Sequence, residues 1–217
     1  DERRLAVPGG QHYRPCPYRV EGDYSQAAFP AVLGAVRGGV TVTGLRPDSL
    51  QGDAAILDIL ARCGANFTRT GDEVRFQAAP LRATAIDLAA CPDLGPILMV
   101  LGLFCEGDTV ITNAGRLRIK ESDRIAAMQE ELAKFGGQVL ANGETVTVKG
   151  LGGALRAPTQ PLNSHNDHRV AMALSVAAWA AGLPALLEDA GAVAKSWPTF
   201  FEDMARGLST RWQVREE

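Results

Sequence analysis

The sequence predicts an α/β domain of three sheets around buried helices, built from a βαβαββ pattern that runs nearly three times. The first observation is a recurring order of apolar helix, glycine, strand, second helix and glycine, with a period of roughly 70 residues that exceeds those of solenoid repeats. The second observation is that the first helix of each copy is almost wholly apolar, as in Val170–Ala181, which predicts burial on every side.

The first copy has every element of the pattern. Gly38 and Gly64 follow its two helical stretches, and Gly71 lies in the turn between its last two strands. The periodicities predict, in chain order, a strand at Tyr18–Glu21, a helix at Gln26–Val36, a strand at Val40–Thr43, a helix at Asp53–Cys63, and strands at Asn66–Arg69 and Glu73–Gln77.

The second copy repeats this order. Its second helix carries apolar residues at spacings of three and four, and Asn142-Gly143 is a strong hairpin-turn signal. The predicted elements are a strand at Ala83–Leu88, a helix at Leu94–Phe104, a strand at Thr109–Thr112, a helix at Asp123–Phe135, and strands at Gln138–Ala141 and Thr145–Lys149.

The third copy is less complete than the other two. It lacks a clear first strand and has a single closing strand instead of a hairpin. The predicted elements are a helix at His168–Ala181, a strand at Ala185–Leu187, a helix at Thr199–Leu208 and a strand at Arg211–Val214.

Bulk properties exclude several classes of protein. A net charge of −3 argues against general nucleic-acid binding, which needs a broad basic surface. No apolar stretch approaches the roughly 18 residues of a membrane helix, and no signal peptide opens the chain. Cys63 and Cys105 lie in apolar runs without metal-site spacing, which predicts buried reduced thiols and a cytoplasmic protein. The polar opening at Asp1 suggests a piece of a longer protein.

Cations recur where helices are predicted to begin. Lys120 and Arg124 flank one such start, Arg169 lies at a second, and Lys195 precedes a third. A helix start carries partial positive charge and prefers anions, so cations there favour a bound anion between them. If the copies are related by rotation, these starts converge on a site for phosphate and carboxylate groups. The alternative is that all four are solvated surface cations.

Acids and histidines near these cations offer further chemistry. Glu121 could exchange a proton with a bound substrate, and Asp93 could hold a substrate hydroxyl or simply cap a helix. His165 and His168 are spaced by three, but a metal site needs further ligands that the sequence does not provide, so we predict no metal. The sequence contains no GxxxxGK[ST], GxGxxG or GxSxG motif, which argues against a P-loop nucleotide site, a dinucleotide site and a serine-hydrolase elbow.

Four segments together resemble one enzyme family. They occur in the family's order, spread over most of the chain, and resemble signatures of 5-enolpyruvylshikimate-3-phosphate (EPSP) synthase. The segments are Val20–Ala28 (VEGDYSQAA), Arg116–Ile125 (RLRIKESDRI), Asn166–Ala173 (NDHRVAMA) and Lys195–Phe200 (KSWPTF).

The resemblance implies a two-domain enzyme in which each domain has three βαβαββ units around a pseudo-threefold axis. Helix starts point toward the cleft between the domains. Residues 16–217 resemble the C-terminal domain and residues 1–15 a piece of the interdomain crossing segment. The N-terminal domain, which forms the other half of the site, would be a partner outside this sequence.

The resemblance also implies a reaction, with phosphoenolpyruvate and shikimate 3-phosphate as substrates and no metal or organic cofactor. The enolpyruvyl group moves to the 5-hydroxyl of shikimate 3-phosphate, and phosphate is released. Residue by residue, the implied roles are base and shikimate contact for Asp93, proton shuttle for Glu121, shikimate-phosphate contact for Lys120, phosphoenolpyruvate binding for Arg124, Arg169 and Lys195, and a position lining the same region for His168.

One position departs from the family pattern. Some members carry an asparagine four residues before the signature lysine, where this chain has Arg116, so that role is not carried over. Two alternatives remain. One is the related enolpyruvyl transferase that acts on UDP-N-acetylglucosamine, whose nucleophilic cysteine would lie in the missing domain. The other is a non-catalytic anion-binding module, because half of a site is expected to bind phosphoenolpyruvate weakly and to be inactive alone.

Overall fold

A computed structural model describes residues 6–207 as an assembly of six α-helices and eleven short strands within that range. The helices are α1 (Tyr24–Arg37), α2 (Ala55–Arg62), α3 (Gly95–Phe104), α4 (Arg124–Lys134), α5 (His168–Ala181) and α6 (Phe200–Gly207). The strands are β1 (Val40–Val42), β2 (Asn66–Thr70), β3 (Glu73–Gln77), β4 (Leu81–Arg82), β5 (Ala85–Asp87), β6 (Cys105–Glu106), β7 (Asp108–Thr112), β8 (Gln138–Asn142), β9 (Thr145–Lys149), β10 (Leu162–Asn163) and β11 (Leu187–Glu188).

The strands form one sheet per copy of the repeat. The orders are β1-β3-β2 in the first copy, β5-β7-β9-β8 in the second and β10-β11 in the third. The short parallel pair β4-β6 continues the second sheet, because Ala83 N–H donates to Glu106 O at 2.9 Å between the two pairs. Gly107, at φ +87°, supplies the one-residue shift in register between the two pairs. Over residues 6–207, the three predicted sheets are therefore confirmed.

The helices α1, α3 and α5 pack against one another between the sheets. Every residue of α3 is buried, as the uniformly apolar sequence predicted. Two glycines let these helices approach their sheets closely. A Cβ at Gly34 would lie 2.7 Å from the Phe76 Cβ, and one at Gly102 would lie 2.9 Å from the Val148 Cβ. The two contacts are equivalent in the first and second copies, which supports the repeat.

Some predicted strands are wrong or incomplete. Tyr18–Glu21 is not a strand, since residues 6–23 have no regular secondary structure and Val20 is 80% exposed. A strand forms when its backbone N–H and C=O groups pair with those of a neighbouring strand. Near this segment, the bond from Gly22 N–H to Gly44 O at 2.8 Å lies just after the predicted strand and does not pair it. Of the strand predicted at 83–88, residues 85–87 form β5, while β4 lies just before the predicted range. Of the strand predicted at 185–187, only Leu187 belongs to β11, which continues to Glu188.

Two remaining predictions concern the ends of the chain and the cysteines. The strand predicted at Arg211–Val214 lies outside the described residues. Cys63, Cys91 and Cys105 are buried and free, which confirms buried thiols at Cys63 and Cys105. None of the helices within residues 6–207 has the length and apolar character needed to cross a membrane.

Candidate active site

Two helix starts and a short 3₁₀ turn meet at one end of the domain. Helix α4 begins after Asp123, whose Oδ1 accepts the backbone N–H groups of Ile125 and Ala126 at 3.1 and 3.0 Å. Helix α5 begins after Asp167, whose Oδ1 accepts from Arg169 N–H at 2.9 Å. These aspartates satisfy orphan donors of both helices. Because the aspartates cap these helices, the side chains of the neighbouring cations are available for other partners.

The Arg124 guanidinium lies at the centre of this region. Its Nε is 2.8 Å from Asp167 Oδ2, its Nη1 is 3.2 Å from Asp93 Oδ1, and its Nη2 is 2.6 Å from Glu121 Oε2. The Arg124 side chain is 1% exposed and that of Asp167 is fully buried. The sequence led us to expect a bound anion as the partner of Arg124. In this structure its partners are three carboxylates of the chain itself.

Three cations pair with the Asp93 carboxylate. Lys120 Nζ lies 3.1 Å from its Oδ1, Arg124 shares the same oxygen, and Arg169 Nη2 lies 3.3 Å from its Oδ2. Asp93 belongs to the 3₁₀ turn Pro92–Leu94, and its side chain caps no helix, so the capping alternative is wrong. We call Asp93, Lys120, Glu121, Arg124, Asp167 and Arg169 the cation–carboxylate cluster.

Cations keep two acids of the cluster ionised. Burial raises the pKa of Asp93, but Arg169, Lys120 and Arg124 outweigh burial and hold the pKa below its ordinary value. Burial likewise raises the pKa of Asp167, and the hydrogen bond and charge of Arg124 outweigh it, again lowering the pKa. The cluster therefore carries both signs of charge near neutral pH.

His168 lies beside the cluster as a neutral imidazole. Burial lowers its pKa, and the neighbouring Arg169 charge lowers it further, which together outweigh the acids Asp167 and Glu121. Its Nδ1 is 3.8 Å from Glu121 Oε1 and has no hydrogen-bond partner among the described residues. The ring is thus positioned next to Glu121 without a strong bond to it.

Lys195 adjoins the cluster from a different element than predicted. It is exposed and precedes α6 by five residues, as predicted, but it belongs to the 3₁₀ segment Ala190–Lys195 and not to the first turn of that helix. Its Nζ donates to the backbone and side-chain oxygens of Asn166, the latter at 2.9 Å. Because Asn166 precedes Asp167, Lys195 lies at the border of the cluster.

The structure thus brings most of the sequence-predicted residues together. Six of the seven predicted residues contact a member of the cluster directly, and Lys195 contacts it through Asn166. The direct six are Asp93, Lys120, Glu121, Arg124, His168 and Arg169. The cluster has a buried floor at Arg124 and Asp167, while Asp93, Lys120 and Glu121 remain partly exposed.

Besides Asp167, sequence reasoning missed two contributors. Ser25 Oγ accepts from Arg169 Nη2 at 3.1 Å and donates to Asp23 Oδ1 at 2.7 Å, which ties the cluster to the start of α1. Asp53 lies close enough to Asp93 to feel its charge, and its Oδ1 is buried without a partner among the described residues. The repeat offered a signal for both, because each lies at a helix start of the first copy.

The carboxyl group of Asp53 should make the stability of the chain depend on pH. Burial, and then the charge of Asp93, raises its pKa from 3.8 to about 6. Between those values the folded chain binds more protons than the unfolded chain, so the free energy of unfolding falls as pH rises through this window. Asp53→Asn removes the penalty and should stabilise the chain by about 1 to 2 kcal/mol at pH 7.5, because solvent screens a partly exposed carboxyl, with the gain vanishing below pH 4.

Urea unfolding at pH 7.5 and pH 3.8 measures this difference. Asp58→Asn, at an exposed position of the following helix, is the matched control and should change neither value. An equal effect of Asp53→Asn at both pH values would contradict the argument.

Solved structures with this architecture define the class of protein. The chain superimposes on EPSP synthase from Acinetobacter baumannii with a TM-score of 0.77 and 27% identity, covering 87% of this chain and 46% of that one. It superimposes on the enolpyruvyl transferase NikO from Streptomyces tendae with a TM-score of 0.66 and 22% identity, a likeness of fold alone that covers 86% of this chain and 43% of that one. The fold is that of an enolpyruvyl transferase domain.

Sequence comparisons narrow the class to one family. The family model for EPSP synthase (3-phosphoshikimate 1-carboxyvinyltransferase) matches residues 1–204, and the chain belongs to this family. A 3-phosphoshikimate 1-carboxyvinyltransferase from Clostridioides difficile (strain 630) is 37% identical over 98% of this chain and 48% of that protein. One from Methanothrix thermoacetophila is 44% identical over 91% of this chain and 46% of that protein. The chain spans about half the length of the curated relatives it matches.

Proposed function

We propose that this chain forms one wall of the active site of a 3-phosphoshikimate 1-carboxyvinyltransferase. The reaction moves the enolpyruvyl group of phosphoenolpyruvate to the 5-hydroxyl of shikimate 3-phosphate and releases phosphate. The observation that carries the proposal is the group of four cations, Lys120, Arg124, Arg169 and Lys195, gathered around Asp93 and Asn166 at one end of the fold. Two multiply charged anions need such preorganised positive charge.

The cations divide between the two substrates. Arg124, Arg169 and Lys195 bind the phosphate and carboxylate of phosphoenolpyruvate, and Lys120 contacts shikimate 3-phosphate. The guanidinium groups suit this role because their donors match planar carboxylates and phosphates. On this proposal, substrate anions compete for cations that the chain's own carboxylates hold in their absence.

The acids move the protons. Asp93, ionised because its cations lower its pKa, accepts the proton of the 5-hydroxyl as that oxygen bonds to C2 of phosphoenolpyruvate. Glu121 gives a proton to C3, which makes a tetrahedral intermediate. In the elimination, Glu121 takes back a C3 proton while the C2–O bond to phosphate breaks and the leaving phosphate takes up the proton held by Asp93, which restores the double bond and both acids. His168, 3.8 Å from Glu121, stays neutral and lines the region. No metal or organic cofactor enters this scheme.

A second domain supplies the other wall. Two observations support this part of the proposal: the chain spans about half of its relatives, and Asp93, Lys120 and Glu121 are partly exposed. A reaction between two bound anions needs both held in one closed geometry, so one wall alone is expected to be inactive. We propose a cytoplasmic location, consistent with three buried free thiols.

The choice of acceptor tests the proposed function. The full-length protein is incubated with phosphoenolpyruvate plus either shikimate 3-phosphate or UDP-N-acetylglucosamine, and released phosphate is measured. We expect phosphate release when shikimate 3-phosphate is the acceptor and none when UDP-N-acetylglucosamine is the acceptor. Release with only the nucleotide sugar would favour the related transferase, and release with neither would favour a non-catalytic anion-binding module.

Lys195 gives a test of the phosphoenolpyruvate side. In the full-length protein, Lys195→Ala should lower kcat/KM for phosphoenolpyruvate about 100-fold, because one preorganised cation is lost. Stability should be unaffected, since the side chain is exposed. Lys149→Ala, a partly exposed lysine paired with Asp108 in the second sheet, is the control and should leave kcat/KM unchanged. Equal values for the two variants would remove Lys195 from the site.

A further inference from the structure

A second buried charge lies on α4, seven residues after Arg124. Glu131 is fully buried, and its two carboxylate oxygens accept from Lys134 Nζ at 2.8 and 2.9 Å. The same carboxylate accepts the backbone N–H of Asn163 at 2.8 Å and lies 3.2 Å from His165 Nε2. A buried carboxylate is costly unless it is fully paired, and here the partners come from outside the helix as well as from within it.

The outside partners belong to a single segment, residues 163–167, which we call the α5 entry segment. Its backbone is unusual, because His165 and Asn166 both adopt the left-handed conformation at φ 51°. That conformation is unfavourable for residues other than glycine and persists when surrounding contacts hold it. His165 N–H donates to Asn163 Oδ1 at 2.6 Å and Asn166 N–H to Ser164 Oγ at 3.1 Å.

The α5 entry segment carries groups that orient two site cations. Asp167 binds Arg124 through its Oδ2, and Asn166 binds Lys195 through both of its oxygens. Helix α4 therefore holds this segment at two points, with Arg124 at its first turn and Glu131 two turns later. A displacement at the second point moves the partners of both cations.

A metal ion is the competing explanation for this group. Side-chain ligand atoms of Glu130, Glu131 and His165 lie within 4.8 Å of one another. However, Lys134 already contacts both oxygens of Glu131, so a cation of the chain occupies the place that a metal would take. The bond from Asn163 N–H shows that Glu131 faces the α5 entry segment, and the bond from Lys134 to Pro161 O shows that Lys134 faces the residues just before it.

We propose that Glu131 is a positioning residue for the active site: by holding the α5 entry segment, it sets Asp167 and Asn166 in the places from which they orient Arg124 and Lys195. This inference rests on the proposed function, because its effect is measured as binding of phosphoenolpyruvate.

Kinetics of the full-length protein test the inference. Glu131→Gln keeps the size of the side chain and removes the charge that pairs with Lys134. We expect KM for phosphoenolpyruvate to rise about 10- to 100-fold, with a smaller fall in kcat, since misplaced binding groups weaken substrate positioning. Glu130→Gln, at the exposed neighbouring position, should leave both constants unchanged. Glu131→Asp, which keeps the charge, should recover part of the loss.

A purely structural role would give a different result. Val139→Ala removes a buried methyl pair from β8 and lowers stability, and it should not raise KM. If Glu131→Gln loses stability but keeps the wild-type KM, the inference is overturned. If Glu131→Gln does not fold, Glu131→Asp and His165→Asn decide, because the first shortens the reach to Asn163 N–H, the second removes the ring beside Glu131, and both keep the charge that pairs with Lys134. An unchanged KM in both variants then overturns the inference. Absence of activity in the wild-type protein would instead count against the proposed function.

Discussion

Replacing Arg124 with methionine should destabilise this chain by about 3 to 5 kcal/mol. The reason is that Asp167 is fully buried and bound by Arg124 through Nε and Nη2, so the substitution leaves a buried carboxylate without its cation. Urea unfolding of the chain at pH 7 measures the change. Arg118→Met is the matched control, because Arg118 is exposed and pairs with Asp123, and it should cost less than about 1 kcal/mol.

A double-mutant cycle isolates the contribution of the Arg124–Asp167 pair to stability. Asp167→Asn keeps the oxygen that caps α5 and removes the charge. In the background of Arg124→Met, this second change should restore part of the lost stability, because no unpaired charge remains buried. Additive losses in the double variant, or equal losses for Arg124→Met and Arg118→Met, would show that the buried pair does not stabilise the fold as argued.

Replacing Asp93 with asparagine should lower kcat of the full-length protein by about 100- to 10,000-fold. Asparagine keeps the shape of the side chain but cannot accept the proton of the substrate hydroxyl. It also leaves Lys120, Arg124 and Arg169 without the carboxylate that they share. Phosphate release at saturating concentrations of both substrates measures kcat.

The control for this prediction is Asp48→Asn. Asp48 is an exposed acid paired with Arg46, so it tests the loss of a paired carboxylate far from the cluster. The circular dichroism spectrum of each variant shows whether the fold is kept. A folded Asp93→Asn variant with kcat within a few-fold of the wild type would exclude Asp93 as the base.

The sequence anticipated the features that depend on local pattern. The apolar character of Leu94–Phe104 and Val170–Ala181 predicted buried helices, and α3 and α5 are buried in the centre of the fold. The repeat also predicted that Lys120, Arg124 and Arg169 would meet. A rotation that relates the copies places equivalent helix starts at the same end of the domain. The repeat pattern was therefore enough to predict that these cations lie close together.

Features that depend on distant partners could not be predicted in this way. The stretch at Tyr18–Glu21 has the composition of a strand, but pairing decides whether a strand forms. The sequence placed Arg124 beside an anion without indicating that Asp167, 43 residues away, would bury it. The raised pKa of Asp53 arises from burial and from Asp93, neither of which is visible along the chain.

The central claim is that this chain supplies one of two walls of an enolpyruvyl transferase site. Steady-state phosphate release from phosphoenolpyruvate and shikimate 3-phosphate, measured for this chain alone and for the full-length protein, tests it most directly. We predict sustained turnover by the full-length protein and none above background by the chain alone, because the second substrate-binding wall is needed. Turnover by the chain alone, or an inactive full-length protein that is folded, would contradict the account.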